Sequence, residues 1–132
     1  MPAPFRTAGP SSANALAIRV YVQIETPRAL EQLEAIAVVP GVDALFLGPT
    51  DLSGGMGHQG DAAHPEVREA LLDAARRCNA LGKPIGTLAS SVDAAVKFVE
   101  ASFDFVALAS DLGLMLSQVR ASLAEWKRSF RR

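Results

Sequence analysis

The chain has 132 residues, enough for one domain around one core, and 49% of them are apolar. A formal net charge of −1 argues against an electrostatic nucleic-acid binder, and no apolar run is long enough to span a bilayer. The single cysteine, Cys78, excludes an internal disulfide and fits a reducing, cytoplasmic compartment.

Residues 1–15, MPAPFRTAGPSSANA, carry Pro, Ala, Gly and Ser without an apolar h-region, so they read as a flexible lead rather than a secretory signal. The folded domain is expected over residues 16–132. It opens with a strand of Val, Ile and Tyr at 18–25. Thr26-Pro27 then reads as an N-cap followed by proline at the first helical position, starting a helix over 27–38 that buries Leu30, Leu33, Ile36 and Ala37. Pro40-Gly41 ends it, and residues 44–48 form a second strand. A glycine-rich loop is expected from 49 to 63. His64-Pro65 opens a helix to about residue 81, with Val67, Leu71, Ala74 and Cys78 on one face and Gly82 in the C′ place. A third strand covers 84–89. Ser91 caps a helix through 101, with Val92, Ala95, Val96 and Val99 inward. A fourth strand covers 105–110, and a last helix over 112–130 carries Leu112, Met115, Val119, Leu123, Trp126 and Phe130 as one stripe.

These are four βα units in a row. Strands apolar throughout indicate a parallel sheet buried on both faces, either an open doubly wound sheet or half of a (β/α)8 barrel. In both, the βα loops lie at the carboxyl ends of the strands, where ligands bind. Glu25 and Asp51 each stand just past such an end. Adjacent parallel strands lie about 4.8 Å apart, so the two carboxylates can meet over one hard cation. Oxygen ligands favour Mg²⁺ or Mn²⁺ over Zn²⁺. The alternative for both is a helix cap or a solvated side chain.

Gln23 shares Glu25's face of its strand; its alternative is an edge position in water. Gly48-Pro49-Thr50-Asp51 reads as a tight turn whose Thr50 and Asp51 amides can hold a carboxylate or phosphate. His64 fits an N-cap better than a catalytic role, His58 lies in the loop behind Gly54-Gly55-Met56-Gly57, and neither spacing suits a zinc site. Cys78 reads as an inert core thiol. Asp111 reads as the start of the last helix. Lys127, Arg128, Arg131 and Arg132 read as a solvated tail that favours the helix dipole. The glycines form neither a P-loop nor a dinucleotide fingerprint.

Five spaced motifs occur in order: VQIETP at 22–27, GVDALFLGPTDLS at 41–53, HPEV at 64–67, GKPIGTLA at 82–89 and FVALASDLG at 105–113. Together they resemble the HpcH/HpaI aldolase family, metal-dependent class II aldolases of 2-oxo acids with a (β/α)8 barrel of the phosphoenolpyruvate/pyruvate superfamily. The resemblance runs from about residue 13 to 126. It implies a lyase that cleaves a 4-hydroxy-2-oxo or 2-oxo-3-deoxy acid to pyruvate and an aldehyde. It implies Glu25 and Asp51 as ligands of Mg²⁺, with Mn²⁺ or Co²⁺ as substitutes. Gln23 would hydrogen-bond the pyruvate unit, the amides of Thr50 and Asp51 would bind its carboxylate, and Leu88 would line the pocket.

The match covers only the second half of such a barrel, its last four βα units. The family's active-site arginine and acid–base histidine belong to the first half. Arg19 and Arg28 are not at equivalent positions, and His58 does not match that histidine. The expectation is therefore a half-barrel, truncated or paralogous, whose open edges need a partner: a second copy in a homo-oligomer, or a missing half that the chain complements. Its second functional reading is a non-catalytic, self-associating scaffold with a relic metal site. An open flavodoxin-like domain is the third, without a nucleotide-binding loop to support it.

Overall fold

The computed structural model describes residues 18–130. The lead expected over residues 1–15, and Arg131 and Arg132 of the tail, lie outside them. Four strands alternate with helices: β1 (Tyr21–Ile24), α1 (Pro27–Glu31), α2 (Leu33–Ala37), β2 (Ala44–Leu47), α3 (Pro49–Gly55), α4 (Pro65–Ala80), β3 (Ile85–Leu88), α5 (Val92–Glu100), β4 (Phe105–Ala107) and α6 (Asp111–Ser129).

Local chemistry sets most of these boundaries. Thr26 Oγ1 accepts the Ala29 N–H at 3.1 Å and Pro27 fills the first turn of α1. Ser91 Oγ accepts the Ala94 N–H at 3.1 Å at the start of α5. Ser110 Oγ accepts the Gly113 N–H at 3.0 Å, and Asp111 opens α6 as expected. Helix α4 ends on Gly82 at φ +64°, where the Gly82 and Lys83 amides return to the carbonyls of Asn79 and Cys78. The helix expected over 27–38 is interrupted at Gln32, whose N–H turns to the Ala29 carbonyl three residues back. The larger departure is α3. The stretch expected to be a loop begins with a helix, and Gly48-Pro49-Thr50-Asp51 is its N-terminus rather than a free-standing turn.

The sheet is parallel throughout, in the order β1-β2-β3-β4. One face, with Ile24, Leu45, Leu47 and Ile85, is fully buried in the core against Leu33 and Ala37 of α2, Leu52 of α3 and Val67, Leu71, Ala74 and Cys78 of α4. Burial pushes the Cys78 thiol up to about 11, which keeps it protonated and unreactive, as expected.

The opposite face differs from the expectation of two buried faces. Gln23 and Tyr21 are exposed there, and Phe46 and Phe105 are half-buried. The Tyr21 and Phe105 rings nevertheless lie 5.4 Å apart, and Phe46 and Phe105 6.0 Å apart. Strands β1 and β4 are three spacings from each other, about 14 Å on a flat sheet. The Phe105 ring leans across Gly86 of β3 to reach them, and this is the concave, inward face of a barrel of this topology. The topology is that of half a (β/α)8 barrel, four parallel βα units with the helices outside.

Two helices depart from their expected orientation. Of the residues expected inward on α5, Ala95 is buried, but Val92, Val96 and Val99 are exposed; Phe98 packs against the core instead. No residue of α6 is buried: its stripe of Leu112, Met115, Val119, Leu123, Trp126 and Phe130 is exposed together with the rest of the helix. Among the described residues no helix is long and apolar enough to cross a membrane.

Two predictions follow from the packing. A Cβ on Gly86 would overlap the ring of Phe105. Gly86→Ala should therefore lower stability by about 1–3 kcal/mol through overpacking, read from the urea midpoint. Arg77 on α4 clamps Glu34 of α2 with two hydrogen bonds and donates to the Leu30 carbonyl at 3.0 Å. The Arg77 guanidinium holds the Glu34 carboxyl down at about 2. The folded state thus binds that proton less readily than the unfolded state. Stability from the clamp is complete above the ordinary value of 4.5 and is lost as pH falls toward about 2. Arg77→Met should flatten that part of the stability–pH curve.

Candidate functional site at the carboxyl rim of the sheet

Strands β1 and β2 are neighbours in register, with Gln23 beside Phe46 and Ile24 beside Leu47. The chain therefore delivers Glu25 and the start of α3 to adjacent places on one rim. The Gly48 N–H donates to the Ile24 carbonyl at 3.0 Å and ties the two strand ends together. Alternation along β1 puts Gln23 and Glu25 on the concave face, and Gln23 Nε2 donates to Glu25 Oε1 at 2.5 Å.

Gly48 has a steric role. A Cβ there would lie 2.9 Å from Glu25 Cγ, 3.1 Å from Glu25 Oε1 and 3.4 Å from Gln23 Nε2. Only a residue without a side chain lets the half-buried Glu25 lie against the end of β2. Thr50 and Asp51 follow in the first turn of α3, both exposed. Amides in the first turn of a helix have no acceptor within the helix. Helix α3 is steadied by Ser53, whose Oγ donates to the Thr50 carbonyl at 2.6 Å.

Thr50 and Leu88 line a cleft of about 770 Å³ between the rim, α4 and α5, with Pro49, Arg68 and Lys97 also in its walls. Leu88 is half-buried on the concave face; the adjacent Thr87 faces the core, with its hydroxyl donating to the Leu47 carbonyl at 3.2 Å. Gln23, Glu25 and Asp51 are at the same end of the sheet but do not line this cleft.

The histidines fall elsewhere. His64 is the N-cap of α4, its Nδ1 accepting the Glu66 N–H at 3.3 Å, as expected. His58 Nε2 meets Glu66 Oε2 at 2.8 Å, and the two imidazoles stack with centroids 3.5 Å apart. The His58 ring holds the Glu66 carboxyl below its ordinary value. The spacing of these histidines reads against a metal site. The fold brings them and Glu66 together all the same, within 4.8 Å by one ligand atom from each. Glu66 carries no signal of its own in the sequence, because it stands in the first turn of a helix, where acidic residues are ordinary.

Four parallel βα units around a concave face, with acidic side chains at the carboxyl rim, define the barrel-forming α/β class. Residues 5–118 match the model of the HpcH/HpaI aldolase/citrate lyase family, and the chain belongs to that family. It is 44% identical over 110 residues to the 2-dehydro-3,6-dideoxy-6-sulfogluconate aldolase of Pseudomonas putida, covering 83% of this chain and 43% of that protein. It is 42% identical over 100 residues to the 5-keto-4-deoxy-D-glucarate aldolase of Escherichia coli, covering 76% of this chain and 39% of that protein. The crystal structure of an HpcH/HpaI aldolase/citrate lyase family protein from Burkholderia cenocepacia superposes with a TM-score of 0.73 and 34% identity, over 83% of this chain and 43% of the other. The chain thus spans less than half the length of these relatives.

Proposed function

We propose that the chain carries the metal-binding half of an aldolase-type lyase that cleaves a 4-hydroxy-2-oxo or 2-oxo-3-deoxy acid to pyruvate and an aldehyde. The reading is supported by aldolase relatives at 42–44% identity. The observation that carries it is the packing of Gly48 against Glu25 and Gln23, which leaves the Glu25 carboxylate beside the N-terminus of α3.

The donors fit a hard divalent cation. Glu25 and Asp51 supply carboxylate oxygens from two adjacent strand ends, and the missing Cβ at residue 48 lets Glu25 lie against the end of β2. Mg²⁺ is the first choice, with Mn²⁺ or Co²⁺ as substitutes. When bound, the cation supplies electrostatic stabilisation of the negative charge that develops as the carbon–carbon bond breaks. The remaining work falls to the chain. Gln23 steadies Glu25 through its amide and offers its carbonyl and second N–H to a 2-oxo acid. The Thr50 and Asp51 amides present two donors to the substrate carboxylate. Leu88, on the same face of the sheet as Gln23, offers an apolar wall to the pyruvate methylene.

The second reading is a non-catalytic, self-associating half-barrel. It is favoured by the outward stripe on α6, where Leu112, Met115, Leu123 and Trp126 are each more than half exposed. Apolar area of that extent is buried by association. The two readings share a homo-oligomer and part company on turnover.

Pyruvate release from a 4-hydroxy-2-oxo acid by the purified chain separates them. The first reading expects turnover that requires Mg²⁺ or Mn²⁺ and is abolished by Glu25→Ala and by Asp51→Ala. A folded, self-associated chain without turnover, with or without metal, would leave the second reading.

A further inference from the structure

We infer a second metal site, separate from the carboxylate rim, formed by His58, His64 and Glu66 and suited to a borderline transition-metal cation such as Zn²⁺. Imidazole nitrogens with one carboxylate select Zn²⁺, Ni²⁺ or Cu²⁺ over Mg²⁺. This donor set therefore differs in kind from the all-oxygen pair at Glu25 and Asp51.

The geometry is close to what coordination needs. One ligand atom from each residue lies within 4.8 Å of the others. Zn–N and Zn–O bonds of about 2.0–2.1 Å place tetrahedral ligands about 3.3 Å apart, so closing the site draws the three ligand atoms closer together. Glu66 is exposed and already meets His58 Nε2; the histidines are half-buried. The imidazoles are within 13° of parallel. A metal bond lies in the plane of its ring, so binding must open this stack. Three protein ligands then leave a fourth position to water.

The backbone presents these groups in advance. The His58 N–H donates to the Ser53 carbonyl at 2.8 Å, the Asp61 N–H to the His58 carbonyl at 2.9 Å and the His64 N–H to the Asp61 carbonyl at 3.1 Å. Two consecutive turns thus fold the loop back so that His58 meets the first turn of α4. Gly60–Ala63 of this loop form one wall of the cleft that contains Thr50 and Leu88. A cation on the three residues would clamp that wall to α4.

The test is Zn²⁺ titration of the untagged, metal-stripped full chain in a Glu25→Gln, Asp51→Asn background, which removes the rim carboxylates. His58 and His64 are the chain's two histidines, so the imidazole resonances report on this site alone. One saturable Zn²⁺ per chain is expected, shifting both imidazoles. Loss of even an outer-sphere partner costs roughly 10–100-fold in affinity, so His58→Gln and His64→Asn should each weaken binding at least tenfold. Asn at residue 64 keeps an N-cap for α4, so that variant remains folded. The proposal is overturned by the absence of a saturable site in this background, or by an affinity that neither histidine substitution moves. Either result would leave the cluster as a helix cap and an ion pair.

Discussion

The carboxyl rim depends on the contact between the end of β2 and the end of β1. Parallel pairing sets Ile24 beside Leu47, so that Gly48 follows beside Glu25, and the Gly48 N–H closes the ladder on the Ile24 carbonyl. With no Cβ at residue 48, Glu25 and Gln23 can lie against that point. The same residue is the N-cap of α3, so one glycine fixes both the acidic strand end and the helix that carries Thr50 and Asp51. A side chain there would displace the Glu25 carboxylate from the rim.

The rest of the structure is organised around one buried face. Helices α2, α3 and α4 cover it, and the Arg77–Glu34 pair locks two of them together. The concave face is only partly filled by the Phe105 ring, which lies over Gly86, and by the Tyr21 and Phe46 rings beside it. Helix α6 has no residue buried, and α5 leaves Val92, Val96 and Val99 outside. Barrel strands and their helices are normally covered on both sides. These exposed surfaces are why self-association belongs to both functional readings.

Much of the fold was legible because it was written in local chemistry. Thr26, Ser91 and Gly82 mark helix ends through hydrogen bonds and backbone angles that depend on few neighbours. Gln23 and Glu25 could be placed on one face from strand alternation alone, and the structure joins them by a hydrogen bond. Helix α3 was not legible. Its run of Ser53, Gly54 and Gly55 has poor helix propensity, and it is held by tertiary burial of Leu52 and Ser53. Helix α5 carries apolar residues on two faces, at 92, 96 and 99 and at 95 and 98, and periodicity cannot say which meets the sheet. The cluster of His58 and His64 escaped for a different reason. Its ligands are joined by two loop turns rather than by a repeat of helix or strand, so no spacing rule reaches it.

The measurement closest to the central claim is Mn²⁺ binding to the full chain, followed by electron paramagnetic resonance, with Glu25→Gln and Asp51→Asn made singly. Convergence of the two carboxylates on one cation predicts a single Mn²⁺ site that either substitution weakens by roughly tenfold or more, and that His58→Gln leaves unchanged. A Mn²⁺ affinity indifferent to one of the two carboxylates would show that Glu25 and Asp51 do not share an ion. The carboxyl rim would then not be the metal centre.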